Sequence, residues 1–350
     1  MMENELLIDR LCAEHSLPAE GFEQLIAQRT PELAARLAQA AVAECERVYG
    51  DAVYTRGLIE FTNYCKNNCL YCGIRAGNTS CRRYRLTQEQ VLDCAKRGYG
   101  FGFRTFVLQG GEDPAVTDDW LCRIVSALKD AYPDCAVTLS LGERSRASYR
   151  RLREAGADRY LLRHETASPA HYRKLHPSTM SYGNRMRCLH DLRDLGYTVG
   201  CGFMVGSPFQ TPSDLAADLK FIEEFRPEMC GIGPFVPHHA TPFAGYPSGT
   251  VELTCFMLSL IRLIKPDILL PATTALGTID EQGREKGVLS GANVVMPNLS
   301  PIEHRADYEL YDNKICTGDE AAECVGCLGT RMISIGRYLA VDRGDPKEAA

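Results

Sequence analysis

Three cysteines in one short stretch carry the clearest chemistry in this sequence. Cys65, Cys69 and Cys72 follow the pattern C-x3-C-x2-C, directly after an apolar run that is typical of a strand. Soft thiolates suit iron–sulfur clusters, and three of them can bind three irons of a cubane 4Fe–4S cluster. The fourth iron then has no protein ligand in the loop and is open to a small molecule. Structural zinc needs four ligands and none is obvious nearby, while the loop is too polar for three unrelated buried thiols.

Alternating strands and helices must position this loop. From Val53 onward the sequence predicts eight short strands separated by amphipathic helical segments. The predicted strands are 57–62, 105–110, 136–141, 159–165, 198–206, 229–235, 268–274 and 292–297. Eight such units close a (β/α)8 barrel of the TIM type, so we predict an α/β fold. The alternative is an open doubly wound sheet, which is disfavoured because polar residues end nearly every strand, as a ring of loops around one site requires.

The remaining segments flank this barrel. We predict an N-terminal helical extension, or cap, over residues 1–50, the barrel over 51–300, and a short, irregular C-terminal segment over 301–350. The last of these contains a short helix and ends in a charged tail that we expect to be disordered.

Composition and charge exclude several classes of partner. The chain is 45% hydrophobic and 24% charged, as in an ordinary globular protein. Its net charge of −6, without a basic stripe, argues against nucleic acid. The N-terminus lacks a secretion signal, and no apolar run is long enough for a bilayer, so no membrane is expected. Sixteen cysteines in such a chain favour reduced thiols and metal ligation in the cytoplasm over disulfides.

Polar residues at the strand ends are candidate ligand contacts. The second predicted strand ends in the turn 109–112, where glycines would let the backbone approach a ligand, although a plain turn explains them equally well. Thr138 and Ser140 share one face of the third strand, the predicted lumen face. Met204 lies in the fifth strand, whose end could present backbone to an adenine edge.

The fourth predicted strand combines two opposite charges. Arg163 and Glu165 share a face at its end, where a guanidinium suits a carboxylate and a carboxylate suits ribose hydroxyls or an ammonium. A mutual salt bridge without any ligand is the alternative. Arg185, near the start of the following helix, is a second candidate partner for an anion.

A second cysteine group lies near the C-terminus. Cys316, Cys324 and Cys327 have a spacing that favours an auxiliary iron–sulfur cluster, 2Fe–2S or 4Fe–4S, over plain thiols. Zinc is the alternative metal, and a fourth ligand is missing here too.

Together these stretches resemble a known family. An aromatic residue beside the last cysteine of the loop, Tyr71, completes the pattern of the radical S-adenosylmethionine (SAM) enzymes. From about Tyr54 to Met332 the chain resembles the radical SAM maturases of FeFe-hydrogenase. The matching stretches are IEFTNYCKNNCLYCG, VLQGGEDP, VTLSLGE, AGADRYLLRHETASP, GIGPFVPH, PATTALGTI and GANVVMPN. Methylornithine synthase and biotin synthase are related families, and the resemblance to them is looser in the last two strands.

The resemblance implies a cluster at the top of a full barrel and assigns residues around it. With Gln109 and Met204 added from the strand ends, the predicted SAM contacts are Tyr71, Gln109, Gly110, Gly111, Glu112, Ser140, Glu165, Arg185 and Met204. The predicted lining of the substrate cavity is Thr138, Arg163, Thr273, Thr274, Met296 and Tyr308. Around the C-terminal cysteines a second cluster is permitted but not required.

The implied reaction is reductive cleavage of SAM to a 5′-deoxyadenosyl radical. The radical would act on a small cysteine-bound organometallic iron precursor during assembly of the hydrogenase active-site cluster. Other hydrogenase maturation proteins and a low-potential electron donor are the expected partners. Two alternatives stay open: a methylornithine synthase-like mutase acting on an amino acid, and a non-catalytic iron–sulfur carrier or scaffold.

Overall fold

Parallel strands surrounded by helices form the body of the protein in a computed structural model that describes residues 2–318 and 321–347. The strands are β1 Ala52–Thr55, β2 Gly57–Thr62, β3 Thr105–Gly110, β4 Ala136–Ser140, β5 Arg159–Leu161, β6 Thr198–Cys201, β7 Met204–Val205, β8 Met229–Cys230, β9 Gly233–Pro234, β10 Val294–Val295 and β11 Tyr338–Ala340. The helices are α1 Met2–Glu14, α2 Ala19–Ala27, α3 Pro31–Tyr49, α4 Gln88–Gly100, α5 Asp118–Ala131, α6 Arg146–Glu154, α7 Pro169–Leu175, α8 Tyr182–Asp194, α9 Pro212–Phe225, α10 Val251–Ile264, α11 Thr274–Ile279, α12 Gly283–Val288, α13 Ile302–Arg305 and α14 Ala321–Ser334.

Backbone pairing closes these strands into a ring. Six of them lie in the order β2-β3-β4-β5-β6-β8, every neighbouring pair parallel. Leu269 then bridges to β8, Pro271 bridges to β10, and Asn298 bridges back to Leu58 of β2. The backbone N–H of Leu58 donates to the carbonyl of Pro297 at 2.9 Å. The full barrel prediction is therefore confirmed over the open sheet.

Several strand predictions were too long. The predicted seventh strand contributes isolated bridges at Leu269 and Pro271, because proline has no N–H for a ladder and Thr274 already begins α11. The predicted fourth strand ends at Leu161, and Glu165 has a left-handed backbone with a φ of 68°. The predicted fifth and sixth strands are each split in two. Sequence periodicity does not detect such local interruptions of a ladder.

Strand alternation sorts the side chains between the lumen and the outer wall. Phe61 of β2 packs on Trp120 of α5, with ring centroids 5.4 Å apart, so this side of the strand faces the helices. Glu60 therefore faces the lumen, and its register partners are Gln109 and then Ser140. The same alternation places Thr138 on the lumen face, as predicted.

The N-terminal helices lie against the outer helices of the barrel. Thr30 caps α3 with its side chain, and Pro31 occupies the first turn, where its missing N–H costs nothing. Helix α2 packs on α9, and α3 packs on α10. Phe22 and Leu25 of α2 are fully buried. In the described part of the chain no helix is both long and apolar enough to cross a membrane.

The charged tail is ordered through Lys347, contrary to the prediction of disorder. Strand β11 pairs in parallel with β1, and the chain then runs beneath the barrel. There the carbonyl of Arg343 accepts from Thr105 Oγ1 at 2.7 Å and from Arg159 Nη2 at 2.9 Å. Arg159 is buried and also donates to Asp345 at 2.6 Å. A buried guanidinium needs acceptors, and the tail supplies them.

Replacing Asp345 with Ala should lower the free energy of unfolding by about 1–2 kcal/mol at pH 7, since Arg159 loses a charged acceptor. Burial opposes ionisation of Asp345, but hydrogen bonds from Arg159 and Arg343 outweigh it and lower its pKa from 3.8. The carboxylate therefore stabilises the fold above its unfolded pKa. The difference in free energy of unfolding between the unmodified protein and Asp345→Ala should narrow as pH falls below about 4. Urea unfolding at several pH values measures this. Asp130→Ala, on the exposed face of α5, is the control, and equal effects of the two substitutions would contradict the assignment.

Candidate active site

The cysteine loop follows β2 at the carboxyl end of the barrel. Residues 75–77, which come just after the loop in the chain, fold back onto it. Asn68 lies just before Cys69, and its Oδ1 accepts from Arg75 Nε at 2.6 Å and from Gly77 N at 3.0 Å. The carbonyl of Asn67 accepts from Ala76 N at 2.8 Å. The loop therefore has a defined shape that depends on protein hydrogen bonds.

One arginine joins the two flanks of this loop. The guanidinium of Arg83 donates to four backbone carbonyls, those of Asn63, Ile74, Arg75 and Asn78. These acceptors lie on both sides of the cysteines, and no carboxylate is among them. Arg83 is thus a structural residue whose donors are used within the loop.

The three thiols share an environment that disfavours their charged forms. Burial raises the pKa of Cys69 well above its usual range, and the neighbouring Cys72 and Cys65 raise it further. Burial and Cys65 raise the pKa of Cys72 to about 12. The thiolate, not the thiol, is the metal ligand. Three thiolates here need a compensating positive charge, which a metal centre supplies.

The arrangement of the sulfurs distinguishes a cluster from a single ion. Among the described residues, the ligand atoms of His238, His239 and Asp312 all lie within 4.8 Å of one another. The sulfurs of the three cysteines do not form such a close group. A cubane binds each thiolate through a different iron, so its ligands lie farther apart than those of one zinc ion. The donor set therefore fits a 4Fe–4S cluster.

Gly110, at the end of β3, and Gly111, directly after it, allow the cysteine loop to lie close to this strand. A Cβ on Gly111 would lie 2.3 Å from the carbonyl oxygen of Tyr64 and 2.7 Å from Cys65 Cβ. A Cβ on Gly110 would lie 2.7 Å from Thr62 Cγ2. The close approach in this structure is therefore between the turn and the cysteine loop itself.

The cysteine loop also packs against an apolar cluster through Leu70 and Tyr71. Tyr71 and Met204 belong to one cluster, whose other members are Leu70, Leu175, Phe235 and Phe243. The Tyr71 hydroxyl lies 3.1 Å from His176 Nε2, while His176 Nδ1 lies 3.0 Å from the carbonyl of Tyr172. Because burial lowers the pKa of His176 to about 3, the ring is neutral; Nδ1 donates to the carbonyl and Nε2 accepts from Tyr71. This apolar cluster is suited to a flat aromatic group.

Several polar atoms in the barrel have no hydrogen-bond partner among the described residues. Arg163 Nη2 lies 3.2 Å from Glu165 Oε2, but the geometry makes no hydrogen bond, and both atoms are buried. Arg163 Nε, Thr138 Oγ1 and Thr273 Oγ1 are also buried and unpartnered. Each such group costs about 1–3 kcal/mol when left unsatisfied. A salt bridge alone does not account for them, and a polar ligand would.

Backbone strain lies at the same place. Glu165 has a positive φ, and its N–H donates to the carbonyl of Gly202 at 3.0 Å. A Cβ on Gly202 would lie 2.0 Å from the carbonyl oxygen of Gly231 and 3.2 Å from Arg163 Cγ. A left-handed non-glycine residue costs about 1–3 kcal/mol and persists where its surroundings impose it. The neighbouring strands thus impose the direction of the Glu165 side chain.

Two predicted contacts already have protein partners. Arg185 is buried and donates from Nε to Glu143 Oε1 at 2.6 Å and from Nη1 to the carbonyl of Arg163 at 2.8 Å. Glu112 Oε1 accepts from the N–H of Glu143 at 2.9 Å, and Glu112 Oε2 lies 3.3 Å from Lys66 Nζ. Glu143 therefore connects Glu112, which follows β3, with Arg185 of α8. It was not among the predicted residues, although it ends the stretch VTLSLGE.

Sequence reasoning also missed a buried ion pair in the lumen. Lys314 Nζ lies 2.6 Å from Glu60 Oε1, and Asn298 Nδ2 donates to Glu60 Oε2 at 2.7 Å. Lys314 also donates to the carbonyl of Tyr308 at 2.7 Å and lies over its ring. An acidic residue in the otherwise apolar strand GLIEFT was the available signal. The pair attaches the C-terminal segment to the barrel beside Tyr308. Burial raises the pKa of Tyr308 well above its usual range, although a hydrogen bond with Gln109 opposes this shift.

The other predicted residues are less closely gathered. Met296 packs beside an apolar group that includes Met229 and Leu269. Thr274 faces Arg284, which donates to its hydroxyl at 3.5 Å and to Cys316 Sγ at 3.4 Å. Cys327 is exposed, and the Cys324 side chain lies outside the described residues. An auxiliary cluster therefore stays a prediction.

Known proteins share this fold and these stretches. Residues 59–222 match the model of the radical SAM superfamily. The chain is 48% identical to the [FeFe] hydrogenase maturase subunit HydE of Thermotoga maritima, over 87% of each chain. It is 28% identical to 3-methylornithine synthase of Methanosarcina barkeri, over 88% of this chain and 87% of the other. The crystal structure of methylornithine synthase (PylB) superposes with a TM-score of 0.83 and 26% identity, covering 95% of this chain and 97% of the other. The structure of HydG, at 19% identity and a TM-score of 0.81, shares the fold over 97% of this chain and 76% of that one.

The closed barrel, with its three-cysteine loop at the carboxyl end, thus defines a radical SAM enzyme. Superfamily membership implies a 4Fe–4S cluster and SAM, in agreement with the donor set of the loop. Identity of 48% over most of both chains narrows the class further. The chain belongs to the HydE family of [FeFe] hydrogenase maturases.

Replacing Gly111 with Ala should displace the cysteine loop, since the new Cβ meets backbone rather than a flexible side chain. We expect the free energy of unfolding to fall by about 1–3 kcal/mol and the iron bound per chain after anaerobic reconstitution to fall with it. Urea unfolding and an iron assay measure the two effects. Gly100→Ala is the matched control, because a Cβ there meets nothing within 4 Å. Full iron content in Gly111→Ala would contradict the packing argument.

Proposed function

We propose that Cys65, Cys69 and Cys72 bind three irons of the 4Fe–4S cluster and that SAM occupies the fourth. When bound, the reduced cluster supplies the electron that cleaves SAM to methionine and a 5′-deoxyadenosyl radical. The burial of these cysteines and the repulsion that their thiolates would exert on one another support this role for the loop.

The surrounding residues would hold SAM in one orientation. Tyr71 and Met204 offer an apolar surface for adenine, and the Glu165 carboxylate is directed into the barrel, where it can accept from ribose hydroxyls. Gln109, Ser140 and the turn of Gly110, Gly111 and Glu112 complete this contact set. Arg185, held in place by Glu143 and by the carbonyl of Arg163, would join this contact set from a fixed position. Enclosure of the site keeps water from a reactive radical.

We further propose that the substrate is a small cysteine-bound organometallic iron species. The observation that supports this most is the group of orphaned donors in the barrel, Arg163, Thr138 and Thr273, which suit carboxylate or cyanide-type ligands. Thr274, Met296 and Tyr308 would complete the lining. Other hydrogenase maturation proteins would supply this precursor and take the product, and a low-potential protein would donate the electron. Cys316, Cys324 and Cys327 would hold an auxiliary cluster where one is present.

Two assays should establish the proposed reaction. Anaerobically reconstituted protein should form 5′-deoxyadenosine from SAM under dithionite, and Cys69→Ala should form none, because the cluster loses a ligand. Extracts lacking this protein should activate [FeFe] hydrogenase only when it is added back. Absence of SAM cleavage would favour a carrier, and methylornithine formed from lysine would favour the mutase.

Replacing Arg163 with Ala should impair the use of the substrate without impairing SAM binding. Because its guanidinium is assigned to the substrate, hydrogenase activation should fall about 100-fold, as for a lost charge-assisted contact, while SAM binding persists. Activation assays and SAM-dependent spectral changes of the cluster measure these. Arg150→Ala, on the exposed side of α6, is the control. Unchanged activation by Arg163→Ala would overturn the substrate assignment.

A further inference from the structure

Positive charge is concentrated around the cysteine loop. The stretch 61–86 contains five Lys and Arg residues and no Asp or Glu, in a chain whose net charge is −6. Arg83 uses its donors on backbone carbonyls, and Arg75 donates to Asn68. The other three basic residues, Lys66, Arg82 and Arg85, are exposed. We call these three residues the basic rim.

Each residue of the basic rim has an acidic partner, but the partner lies beneath it. The pairs, with the exposed fractions of their side chains, are Lys66–Glu112 at 56% and 9%, Arg82–Asp307 at 78% and 11%, and Arg85–Asp113 at 42% and 0%. The carboxylates are therefore turned toward the protein and the cations toward solvent. A macromolecule approaching this face meets positive charge, although the chain as a whole is negative.

The basic rim borders the cysteines directly. Lys66 follows Cys65 in the chain, and the Arg85 guanidinium lies 3.7 Å from the centroid of the Tyr64 ring, just before Cys65. Arg82 is held beside the loop because Asn63 donates to its carbonyl at 2.8 Å. The segment that supplies Asp307 also carries Glu309, a partly exposed carboxylate whose Oε2 lies 3.6 Å from His238 Nε2.

We propose that the basic rim is the docking surface for a small acidic one-electron carrier, an iron–sulfur or flavin protein. This inference rests on the proposed function, in which the cluster must receive one electron from outside. The step transfers that electron from the reduced carrier, which is oxidised, to the oxidised cluster, which is reduced, and no bond forms or breaks. Opposite charges steer such encounters and raise association rates at low salt. Docking at the rim brings the carrier to the part of the surface that adjoins the cluster ligands.

The test uses the reconstituted holoenzyme and an acidic two-cluster [4Fe–4S] ferredoxin kept reduced by its reductase. Arg82→Glu should lower the second-order rate of ferredoxin-driven 5′-deoxyadenosine formation about tenfold at low salt, and Arg82→Gln should lower it less. Both differences should disappear at about 1 M salt, where screening acts within about 3 Å. Arg150→Glu makes the same change of charge on the outer face of α6 and should stay within about twofold of the unmodified enzyme.

The same assay with dithionite as the reductant distinguishes failure of the docking proposal from failure of the proposed function. No 5′-deoxyadenosine from the unmodified enzyme with dithionite would mean that the proposed function fails. Equal dithionite-driven rates for the unmodified enzyme and both Arg82 variants, together with the ferredoxin defect, would support docking. Docking at the rim would be overturned if the Arg82 variants matched Arg150→Glu with ferredoxin. It would also be overturned if their defect were as large with dithionite.

Discussion

The burial of three thiols at the mouth of a barrel is the constraint on which the site depends. Low polarity around Cys69 and Cys72 opposes their ionisation, and each thiolate would oppose the next. Only a positively charged centre makes three thiolates stable there. Hydrogen bonds of Asn68 and Arg83 hold the loop around these cysteines. They involve amide and backbone groups of the loop rather than the sulfurs.

The barrel is organised around the same balance between burial and polarity. Its lumen contains an ion pair between Glu60 and Lys314 that is satisfied, and it contains donors on Arg163 and Thr273 that are not. A buried pair with all its hydrogen bonds made stabilises the fold, while buried donors without a partner are costly. The left-handed backbone at Glu165 lies among the unsatisfied groups, where strain is typical of functional sites. Hydrogen-bonded and unpartnered polar groups therefore lie within the same barrel.

The C-terminal segment has two tasks that its sequence did not reveal. Lys314 enters the lumen from above, and the tail that includes Asp345 neutralises Arg159 from below. Both contacts join residues far apart in the chain, and both involve single charged side chains in stretches without periodicity. A charged tail is predicted to be solvated, because sequence patterns carry no information about a buried arginine elsewhere that lacks a partner. This is why disorder was the wrong prediction for the described tail.

The sequence by itself determined the strand–helix alternation, the barrel, the three-cysteine motif and the family, because these depend on periodicity, spacing and contiguous motifs. Tertiary structure alone decided how the ring closes through Pro271 and Asn298, and that Arg185 is bound by Glu143 rather than free. It also decided that the cations of the basic rim face solvent while their carboxylates are buried. Such features depend on which distant side chains meet and how much water reaches each of them. Residue type and local pattern do not contain that information.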